Sequence, residues 1–374
     1  MVFCQLLTYA RIQIKAMNKA IKNIFFVLFF LFFNNAVYSD IQVNIERVGE
    51  PIAHPWGVSQ IDGSHYLVTA RSGELFKVDI NTGQHQPISN VPAVFAKRQG
   101  GLLDVGIENS TVYLCYSRPM PDGKAATALY RAELAGNALQ GGKVLFTSNF
   151  LSTSGHHFGC RIVLVEDFIY LALGERGERD TAQDKALYSG AVIRLTKEGH
   201  LAPASGDNWP KGVFTKGHRN PQGMARHPRT GEIWLHEHGP KGGDEINILQ
   251  AGANYGWPIV SHGREYYGGK VGEGLTKAEG FADPAWVWIP SIAPSGMAFY
   301  DRDMFPELKG GLLVGSLKFR SLYHLRLEGE KPASEEVILK QKIGRIRDVM
   351  VAEDGAILLL SDEVNGGLYR LSRD

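Results

Sequence analysis

The chain has 374 residues, with 40 Lys and Arg against 39 Asp and Glu, 44% hydrophobic and 21% charged. That balance excludes a disordered or collagen-like chain and leaves ample apolar mass for a large core. Residues 1–39 hold four basic and no acidic residues, so the remainder carries a net charge of −3, which argues against a nucleic-acid binder with its basic excess.

A start at Met17 places Lys19 and Lys22 ahead of an apolar run from Ile24 to Phe33, followed by Val37-Tyr38-Ser39. Charged, apolar and small residues in that order describe a secretory signal, with cleavage expected after Ser39 and with Met17 a second candidate start. The apolar run is shorter than the roughly 20 residues a spanning helix needs, so the mature chain is expected to have no stable membrane span and to be periplasmic or secreted. An uncleaved anchor is the competing reading. Cys4 leaves with the signal, while Cys115 and Cys160 enter an oxidising compartment where a bridge is permitted. Two buried free thiols fit the sequence equally.

All 43 glycines follow residue 39, which calls for many tight turns and disfavours a helical bundle. From there one phrase recurs six times: a short apolar strand, a turn, a strand of β-branched and aromatic residues, and a third strand. The first strands fall at 56–61, 101–108, 159–165, 223–227, 296–300 and 348–352. The second fall at 65–70, 111–116, 168–173, 232–236, 311–316 and 356–361, and the third at 74–79, 128–134, 191–196, 245–249, 322–327 and 367–371. Short alternating strands in a repeat of about 56 residues predict an all-β, six-bladed β-propeller over residues 40–374. A strand over Ile41 to Val48 is expected to complete the last blade. The long insertion from Gly252 to Pro290 reads as a functional loop.

In a propeller the start of each first strand and the end of its antiparallel neighbour lie on one face. Gln99, His156 and His157, Arg219 and Asn220, and Arg345 with Arg347 are expected near first-strand starts. Glu175, Gly239-Pro240 and Lys318 fall at or after second-strand ends. Four of these, Arg219, Lys318, Arg345 and Arg347, are cations that would repel one another around one mouth unless an anion joined them. A ligand with several carboxylates or phosphates follows, since Arg suits bidentate carboxylate contacts and Lys supplies a point charge. Surface pairing of each Arg with an acid is the alternative.

His157 beside a carboxylate such as Glu175 suits a general base. His236 and His238, spaced to share one face of a strand, raise a zinc site for which no third ligand is evident. The stretch Gly239-Pro240-Lys241-Gly242-Gly243-Asp244-Glu245 combines turn carbonyls with carboxylates, a donor set that suits Ca²⁺, although it does not match an EF-hand loop.

The runs Arg98-Gln99-Gly100-Gly101-Leu102-Leu103-Asp104-Val105, Gly217-His218-Arg219-Asn220-Pro221-Gln222-Gly223 and Glu237-His238-Gly239-Pro240 with Asp244-Glu245-Ile246-Asn247 form an ordered set. Asn254-Tyr255-Gly256-Trp257-Pro258 and Arg345-Ile346-Arg347-Asp348-Val349 complete it. Together they resemble the soluble pyrroloquinoline-quinone (PQQ)-dependent glucose and aldose sugar dehydrogenases along essentially the whole chain after the signal. The resemblance implies a tricarboxylate quinone held by Gln99, Arg219, Asn220, Lys318, Arg345 and Arg347, with Tyr266 in contact. It implies Ca²⁺ on the carbonyls of Gly239 and Pro240, and a second Ca²⁺ near Glu245 and Tyr255. His157 would take the proton of the sugar's anomeric hydroxyl while hydride passes to the quinone, with Arg219 polarising the quinone oxygen. The expected reaction converts aldoses to lactones and passes electrons to an external acceptor, in a monomer or homodimer. One departure stands out: the family places Asp where this chain has Gly174-Glu175 in a segment one residue shorter, which alters the orienting partner of His157. A Ca²⁺-dependent propeller lactonase and a non-catalytic sugar- or protein-binding propeller, working through Trp286 to Trp288, are the rival functions.

Overall fold

The computed structural model describes residues 41–373 and a two-residue strand at Val37–Tyr38. Cys4, Met17 and the apolar run of the expected signal lie outside the described residues. Six antiparallel four-stranded blades follow one another around an axis. Blade 1 runs Pro55–Gln60, His65–Ala70, Leu75–Asp79 and His85–Pro87, and blade 2 runs Leu102–Glu108, Thr111–Pro119, Ala125–Ala135 and Ala138–Thr147. Blade 3 comprises Gly159–Val165, Phe168–Leu173, Ala191–Thr196 and Val213–Lys216; blade 4 comprises Pro221–Arg226, Ile233–Glu237, Asp244–Ile248 and Trp286–Trp288. Pro294–Tyr300, Gly311–Ser316, Ser321–Glu328 and Lys331–Lys340 make blade 5. Blade 6 takes Ile346–Val351, Ile357–Ser361 and Gly367–Ser372 from the C-terminal end and Asn44–Val48 from the N-terminal end.

The expected ring closure is present, with Asn44 opposite Ser372 and Val48 opposite Leu368, although the strand begins at Asn44 rather than Ile41. The first strands touch in succession, and that of blade 6 returns to that of blade 1. Middle strands lie between two neighbouring blades and are apolar on both faces: Ile357, Leu358, Leu359 and Leu360 are all fully buried. Outer strands are less evenly covered: Lys331–Lys340 is buried only from Glu336 to Leu339. Apart from the closing strand of blade 6, the three-strand repeat expected from sequence therefore misses the fourth strand of each blade, and in blade 4 that strand lies inside the segment read as loop, Gly252 to Pro290.

Every first strand carries a register shift against its neighbour at the same level: Pro55/Val58, Leu102/Val105, Gly159/Arg161, Pro221/Gly223, Pro294/Met297 and Ile346/Asp348. A bulge leaves a residue out of the ladder and re-aims its side chain. Here the released residues include Trp56, Leu103, Gln222 and Arg347, and all four line the channel. Cys115 and Cys160 join blades 2 and 3 in a disulfide with Cα atoms 5.6 Å apart, deciding between the two states the sequence left open.

Candidate active site

Two adjoining cavities open at the mouth formed by first-strand starts. The larger, about 580 Å³, is lined by Gln99, His157, Arg219, Asn220, Tyr266 and Lys318, with Gly239 and Pro240 beside them. The smaller, about 190 Å³, is lined by Arg345, Arg347 and Trp56, and shares Gln99, Asn220, His238 and Ala293 with the first. The residues expected around an anionic ligand thus meet at one place, in a volume within the range of small-molecule sites.

His157 sits in the left-handed region, φ 49°, at the entry to blade 3. Its backbone N–H donates to Gln99 Oε1 at 2.7 Å, and its Nδ1 lies 2.9 Å from Glu175 Oε1. A carboxylate that only accepts places the proton on Nδ1, leaving the Nε2 lone pair free. Glu175 is itself fixed: its second oxygen accepts the Gly177 N–H, and its own N–H donates to the Arg219 carbonyl at 3.0 Å. Gly177, φ 82°, takes a conformation a side chain would strain. The longer Glu therefore reaches the ring despite the shortened segment. His156 differs; its ring nitrogens face Ser154 Oγ and Arg98 Nη1 at 3.5 and 3.4 Å.

Sequence reasoning missed Arg176, the residue after Glu175. Buried against Phe158, with its guanidinium carbon 3.6 Å from the ring centroid, it donates to the carbonyls of His156, Ala125 and Ser154. It pins the segment that carries His157. Burial pulls its guanidinium down to about 10. Glu237 was missed as well, although it closes the Gly217-His218-Arg219 motif by accepting from His218 Nδ1 at 2.7 Å and from the Arg219 N–H.

The mouth cations spend their hydrogen bonds on neutral oxygens. Arg219 Nη1 donates to the carbonyls of His238 and Gly239, each at 3.0 Å, and Lys318 Nζ donates to the Ser291 carbonyl at 2.9 Å. Both Arg347 Nη atoms reach Gln222 Oε1 at 3.2 Å, and burial lowers this group to about 10. The Nε atoms of Arg219 and Arg347 are buried without partners. Asp362, which lines the smaller cavity, is the acid nearest these cations: Arg345 Nη2 lies 3.9 Å from its Oδ2, and its charge also acts on Arg347. Positive charge on neutral partners, with two unspent buried donors, fits a polyanionic ligand. His238, which lines both cavities, adds no charge: burial drives its imidazole down to about 3, and Nε2 bonds the Pro294 carbonyl at 2.7 Å.

The metal-site expectations rest on different donors. Asp244 ties the Gly239–Pro240 turn together, accepting from the Gly239 N–H, Ser291 Oγ and the Ala293 N–H at 2.8–2.9 Å. The Gly239 carbonyl is engaged by Arg219, while Pro240 borders the larger cavity. Behind this turn, Asn247 Nδ2 donates to Glu237 and Glu245, each at 3.1 Å, and Asn247 Oδ1 is buried without a partner. Burial, reinforced by Glu237, pushes Glu245 up to about 8. Tyr255 shares the small adjoining cavities with Glu245, but its hydroxyl is committed to the Ile248 carbonyl at 2.7 Å. Among the described residues no three His, Cys, Asp or Glu side chains converge as a metal site. A cation at either position must draw on carbonyl and amide oxygens beside a carboxylate, a donor set that fits Ca²⁺.

The Glucose / Sorbosone dehydrogenase family profile matches residues 52–370. An aldose sugar dehydrogenase of Escherichia coli K12 is 37% identical over 349 residues, covering 88% of this chain and 93% of that protein. The crystal structure of soluble aldose sugar dehydrogenase from Escherichia coli in the apo-form superposes with a TM-score of 0.83 at 35% identity, covering 89% and 100% of the two chains. The PQQ-bound aldose sugar dehydrogenase from Streptomyces coelicolor gives a TM-score of 0.72 at 25% identity over 88% and 98%. The profile spanning nearly the whole propeller, together with these relatives, places the chain in the glucose/sorbosone dehydrogenase family, among the soluble PQQ-dependent aldose sugar dehydrogenases.

Proposed function

We infer that this sugar dehydrogenase oxidises aldoses at the anomeric carbon to lactones, with PQQ and Ca²⁺ held at the mouth and electrons leaving to an external acceptor. The observation that carries the reading is the His157–Glu175 pair opening onto a cavity whose cations lack carboxylate partners. Arg219, Lys318, Arg345 and Arg347 would hold the carboxylates, with Gln99, Asn220 and Tyr266 completing the pocket. Gly239 and Pro240 carbonyls would bind the catalytic Ca²⁺, and the Glu245–Asn247 region beside Tyr255 a second one. When bound, the quinone supplies a two-electron acceptor for the hydride of the anomeric C–H, and Ca²⁺ adds Lewis-acid polarisation.

His157 Nε2 removes the anomeric hydroxyl proton, and Glu175 steadies the imidazolium that results. Arg219 places a positive charge in the same cavity, where it stabilises negative charge developing during the transfer. The Cys115–Cys160 bridge supports export to an oxidising, periplasmic or extracellular compartment.

Reconstituting the apo-protein with PQQ and Ca²⁺ and following dye reduction on an aldose panel, with the lactone identified as product, tests the reading. Lactone hydrolysis without dye reduction would instead favour a hydrolase, and binding without turnover a recognition protein.

A further inference from the structure

Beneath the smaller mouth cavity the channel is closed by three charged side chains from three blades. Arg161 is almost fully buried and its Nη1 lies 3.2 Å from Asp104 Oδ1 and 2.9 Å from Asp348 Oδ1. The carboxylates fasten neighbouring first strands: Asp104 accepts the Ile162 N–H at 2.7 Å, and Asp348 the Val58 N–H at 3.0 Å. Room for them comes from absent side chains. A Cβ on Gly57 would lie 3.0 Å from Asp104 Oδ1, and one on Gly296 2.1 Å from Asp348 Oδ1.

Below the triad lies a separate cavity of about 360 Å³, roofed by Asp104, Arg161 and Asp348 and sharing no lining residue with the smaller mouth cavity. In the first strands of blades 2 and 6 the division is one residue wide: Leu103 and Arg347 line the upper space, Asp104 and Asp348 the lower. The triad is a septum.

Arg161 also reaches upward. Its Nε donates to the Gln222 carbonyl at 2.6 Å and its Nη2 to the Arg347 carbonyl at 3.3 Å. These are the two residues whose side chains meet at Gln222 Oε1 in the floor of the mouth. Trp56 packs against both guanidinium groups, its ring centroid 4.1 Å from the guanidinium carbon of Arg161 and 5.1 Å from that of Arg347. The carbonyls of both floor residues are thus held by one side chain, Arg161, that lines the lower cavity and not the mouth.

We propose that Arg161, clamped between Asp104 and Asp348, is a positioning residue that fixes Arg347 and Gln222 for anion binding and seals the cavity from below. The proposal rests on the quinone-pocket reading. Like charges close together in a poorly screened interior repel strongly, and Arg161 and Arg347 coexist here because Asp104 and Asp348 face them on the septum side and Asp362 faces Arg347 in the mouth. Replacing Arg161 leaves Arg347 free to relax toward Asp348 and away from the ligand.

The test is a double-substitution cycle on apo-protein, with PQQ affinity read by quenching of tryptophan fluorescence. Arg161→Met is expected to weaken binding about tenfold or more, and the loss should largely vanish in an Arg347→Met background, because coupled neighbours are non-additive. The half-saturating quinone concentration should rise while kcat at saturation changes little. Asp104→Asn, which loosens the clamp on Arg161 from outside the mouth cavity, should weaken binding several-fold and serves if Arg161→Met does not fold. Undiminished affinity in the folded variants, or losses that multiply with that of Arg347→Met, would overturn the proposal. Failure of the unaltered protein to bind PQQ would instead sink the quinone-pocket reading.

Discussion

His156 and His157 are adjacent in the chain, yet only the second has a carboxylate behind its ring. Residue type alone does not separate them, and the choice of His157 rests on the family resemblance, because the partner arrives from 18 residues away through a left-handed turn at Arg176 and Gly177. His157→Gln is expected to lower kcat by about 10²–10⁴-fold, the usual worth of a positioned base, with PQQ affinity unchanged. His156→Gln should stay within a few-fold of the parent, and steady-state dye reduction distinguishes them. Lys216 offers a test of burial. Its ammonium donates to the carbonyls of Asp184, Leu187 and Ser189 in the loop that follows Glu175, and burial lowers it to about 8. Between about pH 8 and 10.5 the unfolded chain holds the proton that the folded chain has lost, so this group's contribution to stability rises with pH across that window. Relative to Lys216→Met, the parent should gain about 2 kcal/mol between pH 7.5 and 10 in urea unfolding. A constant difference would mean that the three carbonyls hold the proton in place.

At the scale of strands and loops, legibility follows burial. Phe168–Leu173 and Gly311–Ser316 are read correctly because a strand between two blades is an uninterrupted apolar run. Lys331–Lys340, with Glu335 and Glu336 among its residues, has no such run and was missed. The bulges were also illegible, since a register shift depends on which residue of the partner strand stands opposite, not on residue type; Gln222 and Arg161 consequently carried no signal of their place in the channel. The motifs around Arg219 and Arg345 were legible because the turns before first strands recur at fixed points in each repeat. Between blades 2 and 3 the disulfide spans a sequence separation of 45 residues. Chain-entropy arguments give such a closure about 4 kcal/mol, so Cys115→Ala/Cys160→Ala should lower the urea midpoint markedly and steepen the slope, because the unbridged denatured chain is more expanded. Because Cys160 follows His157 by three residues, the same variant should lose more kcat than PQQ affinity. Equal losses in both would place the disulfide's effect on the whole blade rather than on the base.

Over the whole molecule, charge is arranged against the local trend. The chain after residue 39 is net negative by three, yet the mouth gathers Arg219, Lys318, Arg345 and Arg347 on neutral partners apart from the long Arg345–Asp362 contact. An incoming polyanion is therefore drawn by a short-range field rather than by overall attraction, and such a field is screened once the Debye length falls below the width of the mouth. Raising ionic strength from about 0.01 to about 0.15 M shortens that length from about 30 to about 8 Å. The association rate of PQQ, followed by stopped-flow fluorescence, should fall about tenfold, whereas dissociation from the desolvated pocket should change far less. Lys318→Met and Arg345→Met should each flatten the salt dependence of association, with Lys318→Met having the larger effect because Asp362 already offsets Arg345. An association rate indifferent to salt would mean that surrounding acids cancel the mouth cations at a distance, and the electrostatic case for a tricarboxylate ligand would then lose its footing even if the His157–Glu175 geometry stood.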